Sequence, residues 1–380
     1  MTGHRTRYGL ALALTTACAT DDGAAAATTD TATDTATDTA TNTTSVTQGS
    51  TGAVMTGGSE TSATASTSSA DSTGDANPCN DSPEALAGCV DADAWADDLA
   101  FVAAPRVPGA PHWQEVQDLC ADRLTALGYE TVRYDYGSGV DVIGRRVGAT
   151  APNEVVLIGA HYDHIADCDG ADDNASGVAA ALEIARILAM GQFDRTTMIA
   201  CWDEEETGLD GSVAFVDAAA GGSDEFVMYF NFDGIGYRST AENSQTVPTG
   251  FDLVFAEQYA NLMTNGFKGD FIALIANSTA HDAAQALYEQ ATGLGVTAVV
   301  LEIPAGAETS DLFADLRRSD HAAFWDGGLP AVFATDTANF RNPHYHCMGG
   351  PDDVVDIDQA FAVGVTAATA AAAAISLGLH

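Results

Sequence analysis

The chain of 380 residues carries 54 acidic side chains against 14 lysines and arginines, which gives a formal net charge of −40 at pH 7. A nucleic-acid partner requires a basic face for its phosphate backbone, so this balance argues against that class of function. The charge favours solubility, with attraction of cationic groups such as free peptide amino termini as an alternative role.

The amino-terminal residues have the pattern of an export signal. Two arginines precede a short apolar run over residues 8–17, and small residues and then acids follow it. The run is shorter than the stretch of about 20 apolar residues that a membrane-spanning helix needs. We therefore predict an export signal of a bacterial type over residues 1–19. Cys18 stands where a bacterial lipoprotein carries its lipid, whereas cleavage after Ala19 would release the protein, so a cell-envelope anchor and an extracellular location both stay open.

Residues 20–77 form a low-complexity segment composed almost entirely of Thr, Ala, Ser, Asp and Gly. Without apolar periodicity, such a segment cannot bury enough apolar surface to offset its conformational entropy. We predict a disordered tether over these residues. Residues 78–380 are long enough for a single α/β domain with a sizeable core.

The chain has seven cysteines, and export would place them where disulfides can form. Cys79 and Cys89 flank a turn-rich loop and are a predicted pair. Cys168 and Cys347 lie beside histidine-containing motifs and could form a second disulfide. Cys201 lies in an apolar run, and we interpret it as a buried thiol.

Strand and helix patterns alternate along the rest of the chain. Helical spacing of apolar residues covers 91–128 and 176–188, and GSVAFVDAAA (211–220) reads as a further helix. Strand patterns occur in ETVRYDY (130–136), VDVIGRRV (140–147), EVVLIGAH (154–161), TTMIACW (196–202) and EFVMYFNF (225–232). This alternation predicts an α/β sheet with helices on both faces.

Polar residues follow three successive predicted strands. His161, the acids of residues 203–206 and Asp233 each stand at the exit of one strand. In open α/β sheets the ligand crevice lies outside the carboxyl ends of the strands. One such coincidence is weak evidence, but three on consecutive strands predict a site at this edge.

Two further segments add candidate ligands. GADDNASG (170–177) places two aspartates in a glycine-flanked turn, and RNPHYHCMGGPDD (341–353) offers two histidines. Taken singly, each has a plain structural explanation, such as a buried structural histidine or an Asx turn before a helix. Together they supply nitrogen and oxygen ligands without a thiolate, which suits Zn, Mn or Co. The acids outnumber what one zinc needs, which favours two metals that share a carboxylate.

The carboxyl-terminal stretch over residues 361–379 is apolar and long enough to span a bilayer. It consists mainly of Ala, Thr and Gly, whose transfer into lipid is poorly favourable. We therefore predict a buried helix of the folded domain rather than a membrane span.

The order of these motifs resembles that of the di-zinc aminopeptidase family, which contains secreted bacterial leucyl aminopeptidases and is related to glutamate carboxypeptidase and glutaminyl cyclases. The resemblance covers roughly residues 110–375 and rests on His-x-Asp, GADDNASG, EETGLDGS, NFDGIG, RSDHAAF and Tyr-His. It implies one zinc metallopeptidase catalytic domain with a mixed, mostly parallel central sheet flanked by helices on both faces.

The resemblance also implies the ligands of two Zn²⁺ ions, with Mn or Co as possible substitutes. One ion would take His161, Asp173 and Asp233. The other would take Asp173, Glu206 and His346, so that Asp173 bridges the two metals.

Roles for four neighbouring residues follow from the same resemblance. Glu205 would be the general base, Asp163 the residue that orients a ligand, and Tyr345 a donor to the developing oxyanion. Asp320 would lie just outside the ligands near the substrate amino terminus. Glu204 lies just before the matched segment EETGLDGS and is interpreted as an ordinary acidic residue. The other histidines near the motifs are interpreted as structural or outer groups: His164, His321 and His344.

The expected function is an exported aminopeptidase that removes N-terminal, apolar residues from peptides with a free amino terminus. The alternatives are a glutaminyl cyclase or a carboxypeptidase of the same fold, or a non-catalytic binding module on a surface tether. The binding module would have lost ligands, and every ligand position is filled here.

Overall fold

The structure, a computed structural model, describes Cys79 and residues 82–379. The predicted export signal over 1–19 with its candidate lipid site at Cys18, and the predicted tether over 20–77, lie outside the described residues. Both remain predictions.

Helices and strands follow the predicted order as far as Phe232, and the elements between that residue and the carboxyl-terminal helix were not predicted. The helices are α1 (Pro83–Ala87), α2 (Ala92–Val102), α3 (Pro111–Ala126), α4 (Gly177–Ala189), α5 (Glu205–Gly208), α6 (Asp210–Ala219), α7 (Phe251–Val254), α8 (Ala256–Thr264), α9 (His281–Gly293), α10 (His321–Asp326) and α11 (Gln359–Leu377). The strands are β1 (Glu130–Asp135), β2 (Val140–Arg146), β3 (Ala151–His161), β4 (Arg195–Trp202), β5 (Glu225–Phe232), β6 (Ile272–Asn277), β7 (Ala298–Ile303) and β8 (Ala331–Thr335). The helical pattern over 91–128 corresponds to α2 and α3, and the loop between them contains two prolines, which cannot continue a helix.

The eight strands form one mixed sheet in the order β1-β2-β4-β3-β5-β8-β6-β7. Its centre, β4-β3-β5-β8, is parallel, whereas β2 meets β4 and β6 meets β8 in antiparallel pairs. The predicted mixed, mostly parallel sheet is confirmed. Because β3, β4 and β5 are neighbours that run in one direction, their carboxyl ends meet at the same edge.

Apolar side chains fill both faces of the sheet. One cluster joins the sheet to α2, α3, α4, α9 and α11, and the other joins it to α6, α8 and α10. Within the described residues, α11 is the one helix long and apolar enough to cross a membrane, but 72% of that stretch is buried inside the protein. Its alanines allow close packing on α1, α4 and α9, so the predicted core helix is confirmed.

The described part of the chain contains three disulfides, two of which join segments that are far apart in sequence. The predicted pairs Cys79–Cys89 and Cys168–Cys347 are present. The interpretation of Cys201 as a free thiol was wrong, because Cys201 on β4 is bonded to Cys120. Helix α3 packs on the sheet with Cys120 on its buried face. The two cysteines are 81 residues apart, so no local sequence pattern could have indicated that they pair.

Candidate metal centre

Three strand ends bring the predicted ligands together. His161 is the last residue of β3, the acidic turn follows Trp202 of β4, and Asp233 follows Phe232 of β5. Strand β3 lies between the other two, so His161 is central. The side chains of His161 and Asp163 are completely buried, and Asp233 is 8% exposed.

One group of ligand atoms surrounds the ring of His161. Its Nε2 lies 3.4 Å from Asp173 Oδ1 and 3.6 Å from Asp233 Oδ1. The Glu205 carboxylate is slightly farther away, with Oε2 at 3.9 Å. Among the described residues, His161 Nε2 has no hydrogen-bond partner although it is buried.

A second group shares Asp173 with the first. His346, carried by the turn after β8, places Nε2 3.2 Å from Asp173 Oδ2 and 3.1 Å from Glu206 Oε2. The two oxygens of Asp173 therefore face different histidines. Here too the imidazole nitrogen is buried without a hydrogen bond of good geometry in the described part of the chain.

These distances fit zinc. A tetrahedral ion with ligands at about 2.0–2.1 Å places neighbouring ligand atoms about 3.3 Å apart. The four contacts of His161 and His346 with their carboxylate neighbours span 3.1 to 3.6 Å. The nitrogens lack hydrogen-bond partners and the donors are imidazole and carboxylate, so the residues fit one zinc in each group.

His164 lies closer to the second group than a structural histidine would need to. Its Nδ1 is 2.7 Å from Glu206 Oε1. One potential ligand atom each of His164, Asp173 and Glu206 lie within 4.8 Å of one another, close enough to share a metal ion. The contact fixes one oxygen of Glu206 and leaves the other directed at His346. His164 thus acts on a ligand, as an outer group would.

Asp163 determines where the two working glutamates lie. Its carboxylate accepts hydrogen bonds from the backbone N–H of Glu205 at 3.1 Å and of Glu206 at 3.2 Å. Its Oδ1 is also 3.6 Å from His161 Nδ1. One buried carboxylate thereby links the β3 histidine to the turn after β4.

The neighbouring Glu204 differs from these two in backbone and contacts. It has a φ of 56°, in the left-handed region, at the amino-terminal end of α5. Its side chain makes none of the close contacts with His161 or His346 that Glu205 and Glu206 make.

Burial and crowding of carboxylates perturb the pKa values of the site. Burial raises the pKa of Glu205 and of Asp233 above the usual carboxylate range. For Asp173, burial acts in the same direction, but His161 and His346 together hold its pKa well below the usual range. The carboxylates outnumber the imidazoles, an arrangement that a divalent cation stabilises.

The loop that carries Asp173 is held by two residues that the sequence did not reveal. Arg106 is completely buried and donates to backbone carbonyls that include those of Tyr162 at 2.9 Å, Gly170 at 2.8 Å and Asp173 at 3.1 Å. Asp352 accepts the Asp173 N–H at 3.1 Å. Arg106 belongs to no motif, and Asp352 lies near the end of the segment 341–353 without having been assigned a role there. Their separations from Asp173 are 67 and 179 residues.

Tyr345 stands beside the second group. Its ring stacks on that of His346 with centroids 3.9 Å apart, and its hydroxyl accepts a hydrogen bond from Arg318 Nη2 at 3.0 Å. Burial raises the pKa of Tyr345, so the hydroxyl keeps its proton at neutral pH. Arg318 is exposed and was not singled out in the sequence.

The remaining residues near the motifs are Asp320, His321 and His344. Asp320 is completely buried, and burial raises its pKa to about 7. His321 contacts the Leu316 carbonyl at 2.9 Å, and burial lowers its pKa to about 3. His344 pairs with Asp356 at 2.7 Å. His321 and His344 therefore have structural contacts.

An apolar cavity opens next to the metal groups. It encloses about 730 Å³, part of it open to solvent, and both Asp233 and Tyr345 form part of its wall. Its interior is lined by side chains that include Phe251, Ile275 and Phe333. The region 239–309 contributes about half of this lining.

Comparison with known proteins places this arrangement in a family context. The profile of "Peptidase family M28" matches residues 141–373. YfbL of Escherichia coli (strain K12), described as uncharacterized, is 27% identical over 241 residues, which cover 60% of this chain and 66% of YfbL. A probable zinc metalloprotease of Pyrenophora teres f. teres (strain 0-1) is 30% identical over 220 residues, 54% of this chain and 43% of that protein. The chain thus spans less than two thirds of these relatives.

Solved structures share the fold. The LapA aminopeptidase of Legionella pneumophila superposes with a TM-score of 0.58 at 17% identity, over 78% of this chain and 75% of that chain. At this identity the likeness concerns the arrangement of strands and helices.

Proposed function

Since the chain belongs to peptidase family M28, we propose that it is an exported two-zinc aminopeptidase that removes apolar N-terminal residues from peptides. The observation that carries the proposal is the position of Asp173, whose two oxygens face His161 and His346 in two separate ligand groups. His161, Asp173 and Asp233 would hold one ion, and Asp173, Glu206 and His346 the other. The predicted export signal supports the location.

Zinc bound at these positions would supply Lewis acidity that polarises the peptide carbonyl and acidifies the attacking water. Glu205 lies at the edge of the first group and makes no close contact with His346. We assign it the proton transfers: it takes a proton from the attacking water and later delivers that proton to the nitrogen of the leaving amine. Its burial supports this role, because it keeps the carboxylate basic.

Two other features support catalysis on peptides. The Tyr345 hydroxyl, which keeps its proton, can donate to the carbonyl oxygen as negative charge develops there. The apolar cavity beside Asp233 and Tyr345 can bind the side chain of the N-terminal residue. An apolar or aromatic side chain is therefore the expected specificity.

The first test is hydrolysis of leucine p-nitroanilide by the full chain, with a matched pair of variants. Glu205→Gln should lower kcat by about 10²- to 10⁴-fold, the usual contribution of a general base. Glu204→Gln, one residue away and outside the ligand groups, should stay close to the wild type. Treatment with a chelator should abolish turnover, and added zinc should restore it.

Full activity of Glu205→Gln or of the chelated protein would refute the mechanism. A zinc content near one per chain would contradict the shared role of Asp173. Cyclisation of N-terminal glutamine without hydrolysis of aminoacyl substrates would select the glutaminyl cyclase alternative.

A further inference from the structure

We propose that Arg318 is a positioning residue that commits the Tyr345 hydroxyl to donate its proton toward the substrate carbonyl. The inference rests on the proposed aminopeptidase function and gives a role to the arginine of the RSDHAAF segment, which the resemblance left without one. It concerns the direction of one hydrogen bond at the mouth of the apolar cavity, where Arg318 and Tyr345 both form part of the wall.

The direction follows from the donor inventory. A guanidinium group has five N–H donors and no acceptor, whereas a phenol has one donor and accepts through its oxygen. In the 3.0 Å contact between Arg318 Nη2 and Tyr345 Oη, the phenol oxygen must therefore accept. The single proton of Tyr345 is left unused by Arg318, and the described residues contain no hydrogen-bond acceptor for it.

The ring of Tyr345 is held from two sides. It stacks on the His346 imidazole at an interplanar angle of 18°, and the Arg318 guanidinium lies 5.6 Å from the ring centroid. His346 is one of the proposed ligands, so the phenol oxygen is tied to the position of the second group. The ring of Tyr345 is consequently fixed beside the second group.

Arg318 is itself oriented by a second acceptor. Its Nη1 donates to Asn339 Oδ1 at 2.6 Å, and Asn339 also lines the cavity. The planar fork of arginine holds both acceptors in a fixed geometry, whereas the compact ammonium of lysine does not fix their directions. Hydrogen bonds from a charged donor are stronger than neutral ones, and they polarise the accepting hydroxyl so that it donates more strongly in turn.

The location of the charge supports a specific role. In a chain with 14 lysines and arginines against 54 acids, Arg318 is the one basic side chain on the wall of this cavity. Because it is exposed, a plain surface ion pair would contribute little.

The test is a double-mutant cycle on leucine p-nitroanilide turnover. Tyr345→Phe should lower kcat by about 10²-fold, as loss of one oxyanion donor does. Arg318→Met should lower kcat by about tenfold with little change in KM, the size expected for one lost charged hydrogen bond. In the Tyr345→Phe background the same change should alter kcat less than about twofold, because the residues act as one unit. Arg318→Lys should recover only part of the loss.

Arg317→Met is the matched control. Arg317 is the preceding residue, but its guanidinium pairs with Asp326 at 2.8 Å, away from Tyr345. It should leave kcat and its coupling to Tyr345 unchanged. Equal losses from Arg318→Met in both backgrounds would overturn the proposal, as would an Arg317→Met effect equal to that of Arg318→Met.

A readout without turnover separates this inference from the proposed function. In protein labelled at the tyrosine Cζ carbon, the Tyr345 resonance is identified by its loss in Tyr345→Phe. Arg318→Met should shift that resonance in chelator-treated protein, whereas Arg317→Met should not. If the wild type hydrolyses no aminoacyl substrate but the shift occurs, the function fails and the contact stands. Turnover without a shift or a kcat effect would refute the contact alone.

Discussion

Asp173 links the two ligand groups because each of its carboxylate oxygens faces a different histidine. His161 Nε2 and His346 Nε2 approach these oxygens at 3.4 and 3.2 Å. Such pairs leave protons on the imidazoles when no cation is bound, since the positive rings stabilise the crowded carboxylates. Protons and metal ions therefore compete for the same nitrogens.

This competition predicts proton release on metal binding. Burial lowers the pKa of His346, but Asp173 and Glu206 outweigh it and raise the value to about 10 without a metal. His161 shifts in the same direction. Zinc binds neutral imidazole, so uptake at pH 7 must displace these protons, and the affinity must rise with pH up to the pKa of about 10.

Isothermal titration calorimetry in two buffers of different ionisation enthalpy measures the protons released. About one proton or more per zinc is expected at pH 7, because the imidazoles are protonated there. His344→Asn, which alters a histidine outside both groups, should leave the number unchanged. An observed heat that does not depend on the buffer would contradict the predicted protonation.

The sequence identified the residues that stand at strand ends but not those that hold them in place. His161, Glu205 and Asp233 follow runs of apolar residues, so a local pattern predicts their place in the sheet. Arg106 and Arg318 have no such pattern, because their partners are backbone carbonyls and a phenol on distant segments. Contacts of that kind depend on the tertiary fold and cannot be seen in periodicity.

At the scale of secondary structure, α11 shows how composition serves packing. Its central alanines have no exposed surface and contact α1, α4 and α9. Small side chains let four helices approach closely, which a helix rich in leucine could not do. The same composition made a membrane span a poor interpretation of the sequence.

Close packing predicts a cost for a larger side chain in α11. Ala371→Leu, at a fully buried position, should lower the free energy of unfolding by about 1–3 kcal/mol through overpacking. Ala360→Leu, at an exposed position in the first turn of the same helix, is the control and should change it little. Urea denaturation measures both, and equal midpoints would disprove the packing argument.

Across the whole molecule, the order of the strands was beyond the reach of the sequence. The five predicted strands are β1 to β5, and the alternation of patterns fixed their type. Their spatial order places β4 between β2 and β3, and it adds the pair β6 and β7 beside β8 in the opposite direction. The order and direction of the strands depend on which helices cover each face of the sheet. The Cys120–Cys201 disulfide depends on the same packing, because it joins α3 to β4.

The Cys168–Cys347 disulfide joins two segments that carry proposed ligands. It connects the loop before Asp173 to the residue after His346, and both His346 and Cys347 have φ values of 54°, in the left-handed region. Non-glycine residues adopt that region only when their surroundings hold them there. The cross-link therefore keeps His346 in the position proposed for a ligand.

Removal of this disulfide should weaken metal binding as well as stability. The double variant Cys168→Ala, Cys347→Ala should lower zinc affinity by about 10- to 100-fold, as loss of groups that orient ligands does. Competition with a chromophoric chelator measures this affinity. The double variant Cys79→Ala, Cys89→Ala, which opens a link remote from the ligands, is the control. Unchanged affinity in the first variant would show that the turn holds His346 unaided.

Arg106 has a consequence for the boundaries of the working enzyme. The family profile begins at residue 141, after this arginine, and includes every proposed ligand. A fragment excised at that boundary would keep all the proposed metal ligands. It would lose the buried guanidinium of Arg106, which holds the carbonyls of Tyr162, Gly170 and Asp173. In this protein, the loop between α2 and α3 that carries Arg106 is thus as much a part of the candidate site as the motifs themselves, and a gene trimmed to the matched segment would encode the proposed ligands without this support.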